Sequence, residues 1–239
     1  THVAGLAAAV TNNGVGVAGA GWDCEIMPLR VGYETSDGNG SVQTTAVLKA
    51  LQYCVDNGAS VMNASFGGPF NDFAERDMMR YAFDNGVVML KSAGNSNSDI
   101  GYSPDNEDFV LSVASVNTND TKAAYSNFGE WVKLSAPGGN RGVGLRSTYP
   151  DDRYNSIWGT SMSSPVAAGI AGLIKSVHPD WTAAEIMMHL VDTADNIDAA
   201  NPQFAGHLGK KGRVNAFRAV SEPYASAPEI EIAEITVWD

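Results

Sequence analysis

Three observations predict an α/β fold with a mostly parallel sheet between helices. Short apolar runs alternate along the chain with longer segments of helical period. The runs are continuous rather than alternating polar and apolar, as expected of strands covered on both faces. Twice a helical segment closes on Asp-Asn-Gly and leads straight into such a run, in VDNGASVMNAS and in FDNGVVMLKSAG. Helix followed by strand, repeated, is the pattern of a parallel sheet with covering helices.

The elements follow in order. Residues 1–10 are Ala-rich and read as a helix, which TNNGVGVAGAG breaks. CEIMPLRV is read as a buried strand and YETSDGNGS as a loop. From Ser41 to Asn57, Val47, Leu48, Leu51, Cys54 and Val55 fall at helical spacing, and Gly58 suits a left-handed C-terminal position. ASVMNAS is a strand, Phe73 to Asn85 a helix ending before Gly86, and VVMLKSAG a strand. FVLSVASV and WVKLSAP are two more strands. A helix runs from about Ser161 to Val177. The next starts near Thr182, an N-cap with Glu185 completing a capping box. Gly212 to Val220 reads as a last short helix. Beyond it, SEPYASAP reads as a linker and EIEIAEITVWD as a strand opening a further region. The expected division is 1–221 for one domain and 222–239 for a linker and the start of a truncated C-terminal extension.

Composition excludes several classes. The 239 residues are 44% hydrophobic and 18% charged, which is core-forming rather than disordered. A net charge of -12 argues against nucleic acid, whose phosphates require Lys and Arg. No apolar run is long enough for a membrane span. Cys24 and Cys54 form neither a metal nor a redox spacing and are expected as buried thiols, although the sequence leaves a bridge open. His2, His178, His189 and His207 are scattered, so no zinc site is expected. GVGVAG matches G-x-G-x-x-G, but a helix precedes it and a strand is expected after it. That inverts the dinucleotide-binding context, and a glycine-rich turn is the better account.

GTSMSSPVAAGIAGLI carries the chemistry. Gly159 permits close approach, Ser161 begins an Ala-rich helix, and Pro165 falls in the first turns, where a missing N–H is tolerated. A serine there sits among free N–H groups and the positive end of the helix dipole, which suits stabilisation of an oxyanion. A plain Ser/Thr N-cap would give the same local pattern.

GTSMSSP also resembles the nucleophile motif of the subtilisin-like serine proteases, the subtilases. SAGNS resembles their oxyanion-asparagine segment, NASFGGP the strand lining their substrate cleft, and THVAG the second half of their histidine motif, H-G-T-H-V-A-G. NNGVGVAGAGWDCEIMPLRV, YSNFG, LSAPGG and GKKGRVNAFRAV are similar to subtilase text in the same order, so the resemblance covers about residues 1–220.

The resemblance implies a three-layer subtilisin-like fold, incomplete at its N-terminus, and peptide-bond hydrolysis through an acyl-enzyme. Ser161 would be the nucleophile and Asn95 the oxyanion donor. Extended polypeptide substrate would lie between Gly38, Asn39 and Gly40 on one side and Ser65, Phe66 and Gly67 on the other, with Ser92, Ala93, Gly94 and Thr160 completing the walls. The primary specificity pocket would be walled by Ser65 to Gly67 and Ser92 to Gly94, which hold small residues and no acid, so a large apolar side chain is its expected preference. The family's base is the first histidine of its motif, upstream of Thr1, and its orienting aspartate lies further upstream. His2 matches the second histidine and is expected to pack behind the site. The chain by itself is therefore expected to be inactive, because a serine without a base is a poor nucleophile. The alternative is a catalytically dead, peptide-binding subtilase-like module. No cofactor is required for the chemistry. TNNGVGV resembles a structural calcium loop of some relatives, with Asn13 giving its side-chain oxygen and Val15 and Val17 their carbonyls; an Asn-Gly turn is the competing account. Family habit implies a secreted, monomeric catalytic domain with a propeptide and a further C-terminal domain.

Overall fold

The computed structural model describes residues 1–37 and 40–224. At its centre is a four-stranded parallel sheet of β3 (Val61–Ala64), β4 (Val88–Ser92), β5 (Leu111–Val116) and β6 (Leu134–Pro137), in that order. The register pairs Val61 with Val88, Leu90 with Leu111 and Val113 with Leu134. Every residue of β4 and β5 is buried, which accounts for their mostly apolar text without polar alternation.

Helices cover both faces, and strand alternation decides which side chain meets which layer. Val88, Leu90, Leu111 and Val113 pack with Ala167, Ile170 and Ile174 of α4 (Thr160–Val177) and with Ile186 and Leu190 of α5 (Ala183–Asp192). Val87 and Met89 face the other way, onto Val47 and Leu51 of α2 (Thr44–Asp56) and Met79 and Ala82 of α3 (Phe73–Asp84). The helices end where the sequence marks their ends: Gly58 and Gly86 both have positive φ, 70° and 90°, just past the caps of α2 and α3. Thr182 and Glu185 form the expected capping box on α5. The first and last helices are shorter than read, α1 at His2–Ala8 and α6 at Ala216–Ser221.

Two segments differ from expectation. CEIMPLRV forms no strand: it has no ladder partner among the described residues, and Ile26 and Met27 are 43% and 38% exposed. An apolar run becomes a strand only where a neighbour accepts its backbone groups. YETSDGNGS is not wholly loop, because Gly32–Glu34 (β1) pairs antiparallel with Gly40–Val42 (β2). A second hairpin, β7 (Leu145–Tyr149) with β8 (Arg153–Ile157), was not expected at all. Its turn residues Asp151 and Asp152 adopt φ of 62° and 52°, which Asp tolerates better than most side chains. Gly38 and Asn39 of the expected cleft rim, and the linker and strand from residue 225 onward, lie outside the described residues.

Candidate active site

Ser161 lies in the first turn of α4, half-buried, directly after Gly159 and Thr160. Three hydrogen bonds fasten this turn to the end of β3, and a fourth braces that end internally. Ser65 Oγ donates to the Ser161 carbonyl at 2.9 Å, and Ser161 Oγ to the Ser65 carbonyl at 3.3 Å. Asn63 Nδ2 donates to Ser65 Oγ at 3.0 Å, and Asn63 Oδ1 accepts from Ser164 Oγ at 2.6 Å. A polar network satisfied in this way fixes a unique geometry.

Asn95 follows the end of β4 and is exposed. Its Oδ1 accepts from the Thr160 N–H at 2.9 Å and from Thr160 Oγ1 at 3.0 Å, while Thr160 Oγ1 accepts from the Gly94 N–H at 3.0 Å. Both bonds hold the oxygen end of the amide, so the Nδ2 end is turned away from Thr160 with its two donors. Gly159 explains the remaining space. Its φ is 146°, and a methyl group placed on it would lie 3.6 Å from Asn95 Nδ2 and 3.8 Å from the Ser161 nitrogen. A small gap between a side-chain amide and an N–H of a helix's first turn, beside a hydroxyl, is the arrangement that stabilises a tetrahedral oxyanion.

Of the other cleft residues expected from sequence, Gly40 on one side and Phe66 and Gly67 on the other face a common cavity of about 370 Å³. Ser65 is half-buried behind them. Ser92 and Ala93 are buried, so what they can present to a ligand is backbone; Gly94 has φ of 101°. Thr160 is fully buried, and its hydroxyl bonds to Asn95. The sequence did not single out the anchoring of Asn95 by Thr160, because the two residues are far apart in the chain.

No histidine or carboxylate among the described residues is hydrogen-bonded to Ser161 Oγ. His2 is 6% exposed, and its Nε2–H is shared between the carbonyls of Leu145 at 3.0 Å and Asn155 at 3.1 Å. It ties α1 to the β7–β8 hairpin, the packing role expected of it. His178 stacks on Trp181, His189 Nε2–H donates to the Ala219 carbonyl, and His207 lies against Phe128. Cys24 and Cys54 are free thiols, and burial raises the pKa of both.

The calcium loop does not complete a site from the residues present. Asn13 Oδ1 accepts from the Val15 N–H at 3.0 Å, an Asx turn, and Asn13 and Val15 are exposed. Three oxygens are too few for an ion that takes about six to eight. Among the described residues no group of three or more His, Cys, Asp or Glu could hold a metal.

The model of the subtilase family matches residues 1–215. The chain belongs to the subtilase family. Thermitase of Thermoactinomyces vulgaris is 38% identical over 220 residues, covering 92% of this chain and 74% of thermitase. The halolysin-like extracellular serine protease Nep of Natrialba magadii is also 38% identical, across 92% of this chain but only 38% of its own length. Among solved structures, a protease of Pseudoalteromonas arctica superposes with a TM-score of 0.82 at 34% identity, covering 92% of this chain and 69% of that one. The parallel sheet flanked by helices is the subtilisin-like α/β fold that the motifs implied. No helix among the described residues is long and apolar enough to cross a membrane.

Proposed function

We propose that this chain carries the nucleophile and oxyanion side of a subtilisin-like serine endopeptidase. Ser161 Oγ attacks the scissile carbonyl of an extended polypeptide. Asn95 Nδ2 and the Ser161 N–H hold the negative oxygen of the tetrahedral intermediate. Its collapse expels the amine and leaves an acyl-Ser161, which water then hydrolyses. The base that takes the serine proton and returns it to the leaving amine, with the carboxylate that orients it, is supplied by polypeptide outside residues 1–239. Without that base the triad's gain is lost, so the 239-residue chain alone does not turn substrate over. The substrate backbone runs between Gly38–Gly40 and Ser65–Gly67, adding strands at both rims. The parent protein is secreted, with a propeptide and a further C-terminal domain, and its catalytic domain acts as a monomer.

The observation that carries this reading is the gap at Gly159, bounded by Asn95 Nδ2 and the Ser161 nitrogen. A binding module has no use for an anchored amide aimed at that space. The test is labelling by an active-site phosphonate, located by mass spectrometry. Protein extended upstream of Thr1 is expected to react at Ser161, and the 239-residue chain is not. An extended protein that stays unlabelled, yet binds peptides, would be the dead peptide-binding module instead.

A further inference from the structure

The cavity between the two cleft rims is not the neutral slot that its glycines suggest. Four charged residues line it: Lys91 from the end of β4, Asp72 and Glu75 from the start of α3, and Asp105 from the segment before β5. Three carboxyl groups therefore face one ammonium. Lys91 is 2% exposed; its Nζ donates to the Phe66 carbonyl at 2.5 Å and lies 3.4 Å from Glu75 Oε1 and 3.5 Å from Asp105 Oδ1. Asp72 has partners of its own, the Glu75 N–H and Thr44 Oγ1. Glu75 and Asp105 instead share the ammonium of Lys91. Glu75 is 8% exposed, and neither its Oε1 nor Asp105 Oδ1 accepts a hydrogen bond. Buried carboxylate oxygens without donors are costly unless something else supplies the donors. Val47, Phe66 and Phe70 add apolar surface to the lining, and Phe70 is exposed.

We propose that this cavity is a subsite for a long basic side chain, lysine or arginine, of the bound polypeptide. The methylene stem lies along Phe66 and Phe70, and the cationic head reaches Glu75 and Asp105, adding donors to those of the Lys91 that they share. The subsite rests on the reading that polypeptide binds along these rims. It is distinct from the pocket walled by Ser65–Gly67 and Ser92–Gly94, because Ser92, Ala93 and Gly94 are not among the residues that line this cavity.

The charge balance makes the preference depend on pH. Burial pushes the Asp105 carboxyl up to about 6, with Glu75 adding to the rise and Lys91 opposing it. An entering cation takes the place of that proton, so binding strengthens as pH rises through this range. The groups facing Asp105 are Lys91 from β4 and Glu75 from α3, with Asp72 on the same wall.

The test is an amide-resolved NMR titration of the 239-residue chain with n-butylguanidinium, n-butylammonium and 1-pentanol, following Phe66, Gly67 and Gly68. Both cations are expected to bind about tenfold more tightly than the alcohol at about pH 8, with most of that margin lost at about pH 5. Asp105→Asn should weaken both cations, and Lys91→Met should tighten them, while 1-pentanol is unchanged in each. A purely structural role for the charges predicts no such opposition of sign. Equal or tighter binding of 1-pentanol, no binding by either cation, or cation affinity indifferent to both variants overturns the proposal. The probes need no catalysis. Lost cation preference with phosphonate labelling intact refutes the subsite alone, and the reverse refutes the protease reading alone.

Discussion

Replacing Asp105 by Asn should make the protein more stable above neutral pH and leave it unchanged in acid. The carboxyl is raised from the ordinary 3.8 to about 6, chiefly because burial disfavours its charge, and its side chain is only 15% exposed. A folded state that holds a proton the unfolded chain releases loses stability as pH climbs through that interval. The interval corresponds to about 3 kcal/mol, fully lost once the pH is above the folded value. The amide has no charge to desolvate, and Lys91 keeps Glu75 and the Phe66 carbonyl as partners. Some relaxation will reduce the gain, so about 1–3 kcal/mol is expected at pH 8, or roughly 2–4 °C in melting temperature for each kcal/mol. Near pH 4 the two proteins should coincide. The assay is urea unfolding of both across pH 4 to 8, comparing differences so that other titrating groups cancel. An Asn variant less stable at every pH, or a gain that does not shrink on acidification, would refute the reasoning and show that the Lys91 attraction outweighs burial.

Gly159→Ala should cut kcat/KM of the upstream-extended enzyme by about 10²–10³, the range known in this family for loss of one oxyanion donor, because the methyl fills the gap beside Asn95 and meets a φ of 146°. Initial rates on a peptide anilide give the value, and a variant within threefold of wild type counts against the oxyanion assignment. Thr160→Val removes the hydroxyl that donates to Asn95 Oδ1 and accepts from Gly94, so kcat should fall about tenfold or more with KM little changed; an equal rise in KM would point to a collapsed cleft instead. Thr182→Ala breaks the capping box on α5 and should cost about 1 kcal/mol, seen as a lower urea midpoint with unchanged slope. Asp152→Gly, at a φ of 52° in the β7–β8 turn, should raise thermal stability by a few tenths of a kcal/mol, and a fall would mean that the Asp side chain contributes locally.

What was legible in the sequence followed from periodicity and punctuation. The four parallel strands, the helices closing before Gly58 and Gly86, and the Thr182–Glu185 box are all local signals, and all are present. Ser161 and Asn95 were found as motif residues, but the part Thr160 plays between them emerges only where β4 and α4 meet. CEIMPLRV misled because apolar text specifies a strand only when a neighbour completes its ladder. The β7–β8 hairpin was missed because its turn is Asp-Asp rather than the usual Asn-Gly or Asp-Gly. Glu75, Lys91 and Asp105 escaped notice because they sit on three separate elements. One hint was available: VVMLKSAG places a lysine inside a run buried on both faces. Counting by twos from Val87 and Met89 puts Lys91 on the α2–α3 side, where a lysine must find carboxylates.

Ser161, the proposed nucleophile, stands at the tip of α4, the helix that touches all four strands of the sheet as well as α1, α5 and α6. Its first turn is bolted to β3 through Asn63, Ser65 and Ser164. The opposite rim of the cleft belongs to the two-stranded β1–β2 hairpin, whose residues are largely exposed. Accommodation of different ligands therefore falls to one side only. Amides around Ser161 should exchange with deuterium no faster than the central strands, whereas those of Gly32–Glu34 and Gly40–Val42 should exchange rapidly until a ligand bridges the two rims. The cleft works as a fixed anvil facing a compliant jaw, so changes to the range of peptides accepted are better sought in the hairpin than around the serine.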